Sequence, residues 1–292
     1  MTTNLSEIAT DMEFSPEEIQ HMLDNLDKFA PEELQEIDKI VEELSTRNAN
    51  QAAYDDLIEF CKRMQPDYKV GRHHRILADQ LMAIEKGDKD RVCVNIPPRH
   101  GKSQLVSIFY PAWFLGRNPG KKVMMVSHTT DLAVDFGRKV RNLIDIDDYK
   151  NIFPDVKLAV DSKSAGRWNT NFGGEYFACG IGSALAGRGA DLLLVDDPHS
   201  EQDVINGNFS VFDKAYEWFT FGARTRLMPG GRVAIVQTRW HMDDLTGRVT
   251  NDMVKNELAD QYEIVEFPAL LDADDGTKKP LWPEFFDLSA LE

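Results

Sequence analysis

The spacing of hydrophobic and polar positions changes period along this chain. Between residues 15 and 47, Ile19, Leu23 and Leu26 fall on one helical face, and Leu34, Ile37, Val41 and Leu44 on another. Ser15-Pro16-Glu17-Glu18 supplies an N-cap, a first-turn proline and a capping-box glutamate for the first helix, and Pro31 opens the second. Residues 48–90 are predicted to be mostly helical. Beyond them, short continuous apolar runs alternate with amphipathic stretches. Strands are predicted at 92–96, 122–127, 175–179, 192–195, 232–237 and 262–266, and helices at 103–115, 131–144, 209–222 and 243–254. Apolar strands alternating with amphipathic helices predict an α/β fold with a mostly parallel central sheet flanked by helices on both sides. No repeat or low-complexity tract interrupts the pattern.

Two strand ends carry chemistry. The run Arg91-Val-Cys-Val-Asn-Ile96 breaks into Pro97-Pro98-Arg99-His100-Gly101-Lys102-Ser103, followed by the helical stretch from Gln104. A strand, a Gly-Lys-Ser turn and a helix build a phosphate cradle. Backbone N–H groups face the anion, Lys102 adds positive charge, and the Ser103 hydroxyl can ligate Mg²⁺. The first glycine of the usual P-loop pattern is missing, with Ile96 in its place. About ninety residues on, the buried-strand run Asp191-Leu-Leu-Leu-Val-Asp196-Asp197-Pro198 ends in two adjacent carboxylates, as a Mg-nucleotide site requires. The two stretches together imply ATP hydrolysis, with ATP and Mg²⁺ as the ligands.

The chain has 292 residues, 42% hydrophobic and 28% charged, which suits one large globular domain with an appendage. No apolar run approaches the length that spans a bilayer, and no basic region followed by an apolar stretch opens the chain, so neither membrane association nor secretion is expected. Cys61, Cys93 and Cys179 have neither disulfide nor zinc spacing, and no histidine cluster has metal-site spacing. A net charge of −16 argues against nucleic acid until its distribution is read. Residues 1–60 hold 16 acids against Lys28, Lys39 and Arg47, whereas the remainder carries 33 acids and 30 bases. The acidity belongs to the N-terminal arm and the body is close to neutral, so DNA binding by the body stays open. The helical arm either packs on the main domain or docks a partner protein.

The motifs resemble those of the large terminase subunits of tailed bacteriophages. The resemblance lies in Pro97-Pro98-Arg99-His100-Gly101-Lys102-Ser103, the run from Pro111 to Pro119, Ala186-Gly187-Arg188-Gly189-Ala190-Asp191, Asp196-Asp197-Pro198, and Gln237-Thr238-Arg239-Trp240-His241-Met242-Asp243-Asp244-Leu245. It covers roughly residues 68–285 in order. It implies a P-loop NTPase of ASCE/RecA-like type: an ATP-driven motor that moves double-stranded DNA into procapsids. The implied partners are duplex DNA, the portal protein of the procapsid, the small terminase subunit and further copies of the chain in a ring of five. The implied location is the host cytoplasm. The expected division is an acidic helical arm at 1–60, the ATPase domain at 61–270 and a linker at 271–292 toward the RNase H-like nuclease domain that family members usually carry. The chain stops at Glu292, so nuclease activity is not expected of it.

Phosphoryl transfer to water needs positioning and charge neutralisation. Pro98, Arg99, His100, Gly101, Lys102, Ser103 and Gln104 are the candidate nucleotide-binding residues, with Ser103 and Asp196 on Mg²⁺ and Asp197 orienting the attacking water. Asp197 also suits a helix N-cap. Arg99 is placed to sense the γ-phosphate. Arg188, between two glycines, is the first candidate for an arginine finger on a neighbouring subunit's ATP, in competition with Arg224, Arg226 and Arg239. Thr238 and Arg239 match the family's coupling turn at a strand end. Tyr68, Arg72 and His74 lie where relatives hold the adenine. Lys121, Lys122, Arg138, Lys139 and Arg141 form the densest basic region, suited to sequence-independent phosphate contacts or to a solvated helix face. Rival readings are a small-molecule kinase, a helicase-like remodeller and a scaffold that binds ATP only to assemble.

Overall fold

The computed structural model describes residues 30–162, 164–273 and 275–291. The first predicted helix, with Ile19, Leu23 and Leu26, lies outside them. The chain divides into two compact units at Ala52/Ala53. In the first, Pro31 occupies the first position of helix α1 (Pro31–Asp55), where its missing N–H costs nothing.

The second unit is built on a seven-stranded sheet. Its strands are β1 (Arg91–Asn95), β2 (Lys122–Ser127), β3 (Arg167–Asn169), β4 (Glu175–Gly180), β5 (Ala190–Asp196), β6 (Leu227–Gln237) and β7 (Glu263–Glu266). Their spatial order is β3-β4-β2-β5-β6-β1-β7, and only the β3–β4 pair is antiparallel. Each expected strand is present; β3 was not foreseen, because three residues carry no readable period. Beyond the sheet, β8 (Leu270–Asp272) and β9 (Lys278–Pro280) form a separate antiparallel ribbon, also unforeseen.

The period-two alternation of strand side chains explains the apolar runs. Val92 and Val94, Val123 and Met125, Leu192 and Leu194, and Ala234 and Val236 point into one core. That core is closed by α2 (Leu57–Met64), α3 (Arg72–Lys86), α4 (Tyr110–Arg117), α5 (Thr130–Asp145) and α6 (Asp147–Ile152), through Phe60, Leu81, Trp113, Phe136 and Tyr149. Cys93, Met124, Val126, Leu193, Val195, Val233 and Ile235 point to the opposite face, under Phe219, Leu245, Val249 and Tyr262. On this side lie α8 (Ser210–Glu217) and α9 (Leu245–Lys255), preceded in the chain by the short α7 (Glu201–Ile205). Burial on both faces, at about 1.5–3 kcal/mol for each large aliphatic side chain, is what a parallel sheet needs. The three cysteines are free and buried.

The predicted helix over 103–115 forms in two parts. Residues Gln104–Phe109 make a wide turn in which Tyr110 N–H reaches Leu105 O, and α4 follows. Pro111 has no N–H to continue the ladder, and the widened turn absorbs the break. On the far face, α9 packs close beneath the turn that follows β6. Asp244 caps it by accepting from Gly247 N–H at 2.9 Å, and a Cβ on Gly247 would land inside the van der Waals shell of Met242 O. Gly247→Ala is therefore expected to cost about 1–3 kcal/mol, measured by denaturant unfolding, and to shift that turn.

Candidate active site

All the charged groups flagged at strand ends converge at the C-terminal edge of β5, β6 and β1, the edge where parallel sheets bind ligands. Lys102 is buried, and its Nζ lies 2.8 Å from Asp197 Oδ2. The same ammonium donates to Thr238 Oγ1 at 3.0 Å, and Thr238 Oγ1 donates to Ile96 O at 3.3 Å. Thr238 N–H donates to Asp197 Oδ1 at 2.7 Å, so both carboxylate oxygens are engaged. The phosphate loop, the acidic strand end and the expected coupling turn thus share one hydrogen-bonded cluster.

Backbone strain is concentrated in the same place. Among the described residues the only non-glycine positions in the left-handed region are Arg99 (φ 61°) and Asp197 (φ 43°). Each costs of order 1–3 kcal/mol, and such strain gathers at functional sites. Arg99 is exposed and has no ion-pair partner among the described residues, so its guanidinium is available to an anion. Asp197 is not a helix cap: α7 starts at Glu201, with Ser200 as its N-cap.

Asp196 is fully buried at the other side of the loop. Ser107 donates to its Oδ2 at 2.6 Å, while Oδ1 has no hydrogen-bond partner. Burial, then the adjacent Asp197 charge, push its carboxyl above the usual range, while Ser107, Lys102 and Ser103 pull the other way. An orphaned buried carboxylate oxygen with a serine hydroxyl beside it fits a hard divalent cation that takes few protein ligands. No cluster of three His, Cys, Asp or Glu suited to a metal exists among the described residues. Ser107 went unremarked in the sequence, although it stands four residues after Ser103, on the same helical face.

Of the residues expected on the adenine side, His74 and Tyr68 are buried. His74 donates from Nε2 to His100 O at 3.0 Å and accepts Gly71 N–H at Nδ1, so neither ring nitrogen is left for a base. Tyr68 is buried edge-on against Phe109. Arg72 is exposed. Beside the loop, a cleft of about 510 Å³ opens between Pro97, Pro98, Thr238, Trp240 and Phe267. Gln104 Nε2 donates to Gln65 Oε1 at 2.5 Å, outside the Lys102 cluster.

Arg188 and the basic residues do not join this cluster. Arg188 pairs with Glu175 at 3.3 Å and lies over the Phe177 ring at 4.5 Å. Glu175 begins β4, so Arg188 sits at the opposite edge of the sheet from its own phosphate loop. Lys121 pairs with Asp191 at 3.0 Å on that same edge, and Lys122 N–H donates to Asp191 at 2.8 Å. Arg138 and Lys139 both pair with Asp135, and Arg141 donates to Asn142. These exposed pairs are worth about 0–1 kcal/mol and yield readily to phosphate. Of the other arginines, Arg224 pairs with Asp260, Arg226 lies just before β6, and Arg239 holds the buried Asp244 at 2.7 Å and Glu266 at 3.4 Å.

A scan against protein families matches residues 93–287 to the family described as terminase large subunit, T4likevirus-type, N-terminal. The chain belongs to the large terminase subunits. Membership gives it a role in DNA packaging, and its sheet has the P-loop NTPase order, with β6 between the phosphate-loop strand and the acidic strand. Among solved structures, it is similar to a point-mutant form of the Thermus Phage P74-26 Large Terminase ATPase domain, at 19% identity over 70% of this chain and 82% of that one, with a TM-score of 0.42. The unmutated domain gives 17% identity over 65% and 80%, with a TM-score of 0.38. At these values the fold rests on the chain's own sheet and not on the likeness. No curated protein matches. No helix among the described residues is long and apolar enough to cross a membrane.

Ser107→Ala removes the hydroxyl that donates to the buried Asp196 carboxylate and is expected to cost about 1–3 kcal/mol by denaturant unfolding, with Ser107→Thr recovering part of it. The buried histidines set an acid limit. Burial lowers His74 to about 3 and His199 to about 4. Between those values and 6.5 the unfolded chain binds more protons, so stability falls as pH drops through this window, by about 1.4 kcal/mol per pH unit for each histidine. Thermal melts from pH 4.5 to 7 check this slope, and His199→Phe is expected to flatten it.

Proposed function

We propose that this chain hydrolyses Mg-ATP to drive double-stranded DNA into a viral procapsid. The observation that carries the reading is the Lys102 ammonium, 2.8 Å from Asp197 and 3.0 Å from Thr238, which ties the phosphate loop to the acidic strand and to the coupling turn. A small-molecule kinase needs a triphosphate site but no such third partner.

Ser103 and Asp196 are the residues that would hold Mg²⁺, which when bound neutralises charge on the β- and γ-phosphates. Without nucleotide, Lys102 spends its charge on Asp197. A triphosphate competes for that ammonium, with Arg99 and the loop N–H groups supplying further positive potential. As Lys102 turns to the phosphates, Asp197 Oδ2 is released and can orient a water for in-line attack. Oδ1 stays on Thr238 N–H, so the carboxylate keeps its aim. Thr238 loses or regains the ammonium as the γ-phosphate arrives or departs. Arg239, linked to Asp244 at the start of α9 and to Glu266 on β7, passes that change to both elements. Motion of DNA follows if those elements bear on it.

In this reading the chain works as a ring of copies, probed by Arg188 of one copy entering the site of the next. Arg188 must then leave Glu175, an exchange of one partly exposed ion pair for a phosphate. The partners are duplex DNA, the portal and the small terminase subunit, in the host cytoplasm.

ATP turnover of the wild type is expected to rise with procapsids and linear duplex DNA present, and DNase-protected DNA to accumulate. Lys102→Ala is expected to lose nucleotide binding. Asp197→Ala is expected to retain binding but lose at least a hundredfold in turnover, by the scale of a positioned base. Turnover indifferent to DNA and procapsids would exclude the motor.

A further inference from the structure

We propose that His73 and His74 are positioning residues of the phosphate loop, fixing the peptide between His100 and Gly101 so that its N–H faces the phosphates whichever base the nucleotide carries. This rests on the reading of residues 97–103 as a triphosphate site.

Both imidazoles address one oxygen. His73 Nε2 lies 3.1 Å and His74 Nε2 3.0 Å from His100 O. A carbonyl oxygen only accepts, so both Nε2 atoms carry the proton and both lone pairs of that oxygen are used. His74 is locked at its other end too, because Nδ1 accepts Gly71 N–H at 2.9 Å. Both histidines are fully buried in α3, with their ring centroids 4.0 Å apart.

The peptide bond is planar and trans, so its C=O and N–H point in opposite directions. A carbonyl held outward against α3 therefore turns Gly101 N–H inward, at the residue just before Lys102. Gly101 is in the left-handed region at φ 76°, and a Cβ there would strike the His74 ring. The imidazole thus packs directly on the loop backbone. The His100 ring adds a second brace, donating Nδ1–H to Pro98 O at 2.9 Å. The chain's C-terminal segment closes the assembly from outside. Phe286 stacks on His100 at 4.8 Å, and Trp282 stands edge-on to His74 at 4.8 Å and to His73 at 5.4 Å. Each brace acts on the loop backbone, which meets phosphate and not base. The pair therefore serves phosphate affinity, in place of the adenine contact expected for His74.

The test compares calorimetric binding of Mg-ATP and of Mg-tripolyphosphate, which has no base, to the full chain and to His73→Ala, His74→Ala and His74→Gln. Melting curves confirm that each variant is folded at the assay temperature. The alanine variants are expected to bind both ligands about tenfold more weakly, by the same factor for each, as for loss of one buried hydrogen bond. KM for ATP should rise by that factor while kcat at saturation changes less than twofold. Glutamine, which still offers an N–H donor, should restore most of the affinity. Loss of ATP binding with tripolyphosphate unaffected would assign His74 to the base and overturn the proposal. So would unchanged binding of both ligands, or a glutamine variant no better than alanine. If the wild type binds neither ligand, or Lys102→Ala binds both as well as the wild type, the triphosphate-site reading itself fails, whatever the histidines do.

Discussion

The shared proton donors of Lys102 are the constraint on which the rest of this site depends. One ammonium, almost out of water, is divided between a carboxylate at the end of β5 and a hydroxyl just past the end of β6. Taking a charge out of water is expensive unless it is paired and hydrogen-bonded. In the absence of an anion, Asp197 and Thr238 therefore do for Lys102 what a phosphate would do. They keep the site formed, and they make its opening depend on a competing negative charge. Freeing Asp197 therefore requires that another group satisfy Lys102, which on the proposed reading is the triphosphate.

Everything around that cluster holds it to narrow tolerances. Asp197 sits at a strained backbone angle with one oxygen tied to Thr238 N–H, and Asp196 is gripped by Ser107 from the helix that follows the loop. From the opposite side, His73 and His74 hold the loop by a single carbonyl. The loop is thus braced by α3, by its own helix and by the β6 turn. That turn is in turn braced by α9, where Met242 O leaves Gly247 no room for a side chain. A rigid frame around one exchangeable ion pair is how a small chemical event can move whole elements, since packed cores shift between discrete arrangements and do not deform continuously.

The positions of the cations divide the molecule by role. Lys102 and Arg99 stand at the C-terminal edge of the sheet, whereas Arg188, Lys121 and Lys122 stand at the N-terminal edge, separated by the length of the strands. Arg188 therefore lies away from its own phosphate loop. Its carboxylate partner on that edge is Glu175.

Sequence alone determined the strands, because a parallel sheet buried on both faces leaves uninterrupted apolar runs that few other structures produce. It also determined the pairing of Gly101-Lys102-Ser103 with Asp196-Asp197, since each residue type is needed by the chemistry of a triphosphate. It did not determine β3 or the β8–β9 ribbon, which are too short to carry a period. Nor did it reveal Ser107 as a partner of Asp196, or that both ring nitrogens of His74 meet backbone groups. Those assignments depend on which atom of a side chain meets which atom of a distant backbone. Three-dimensional packing decides that, because residues far apart in the chain carry no record of the direction in which each will point.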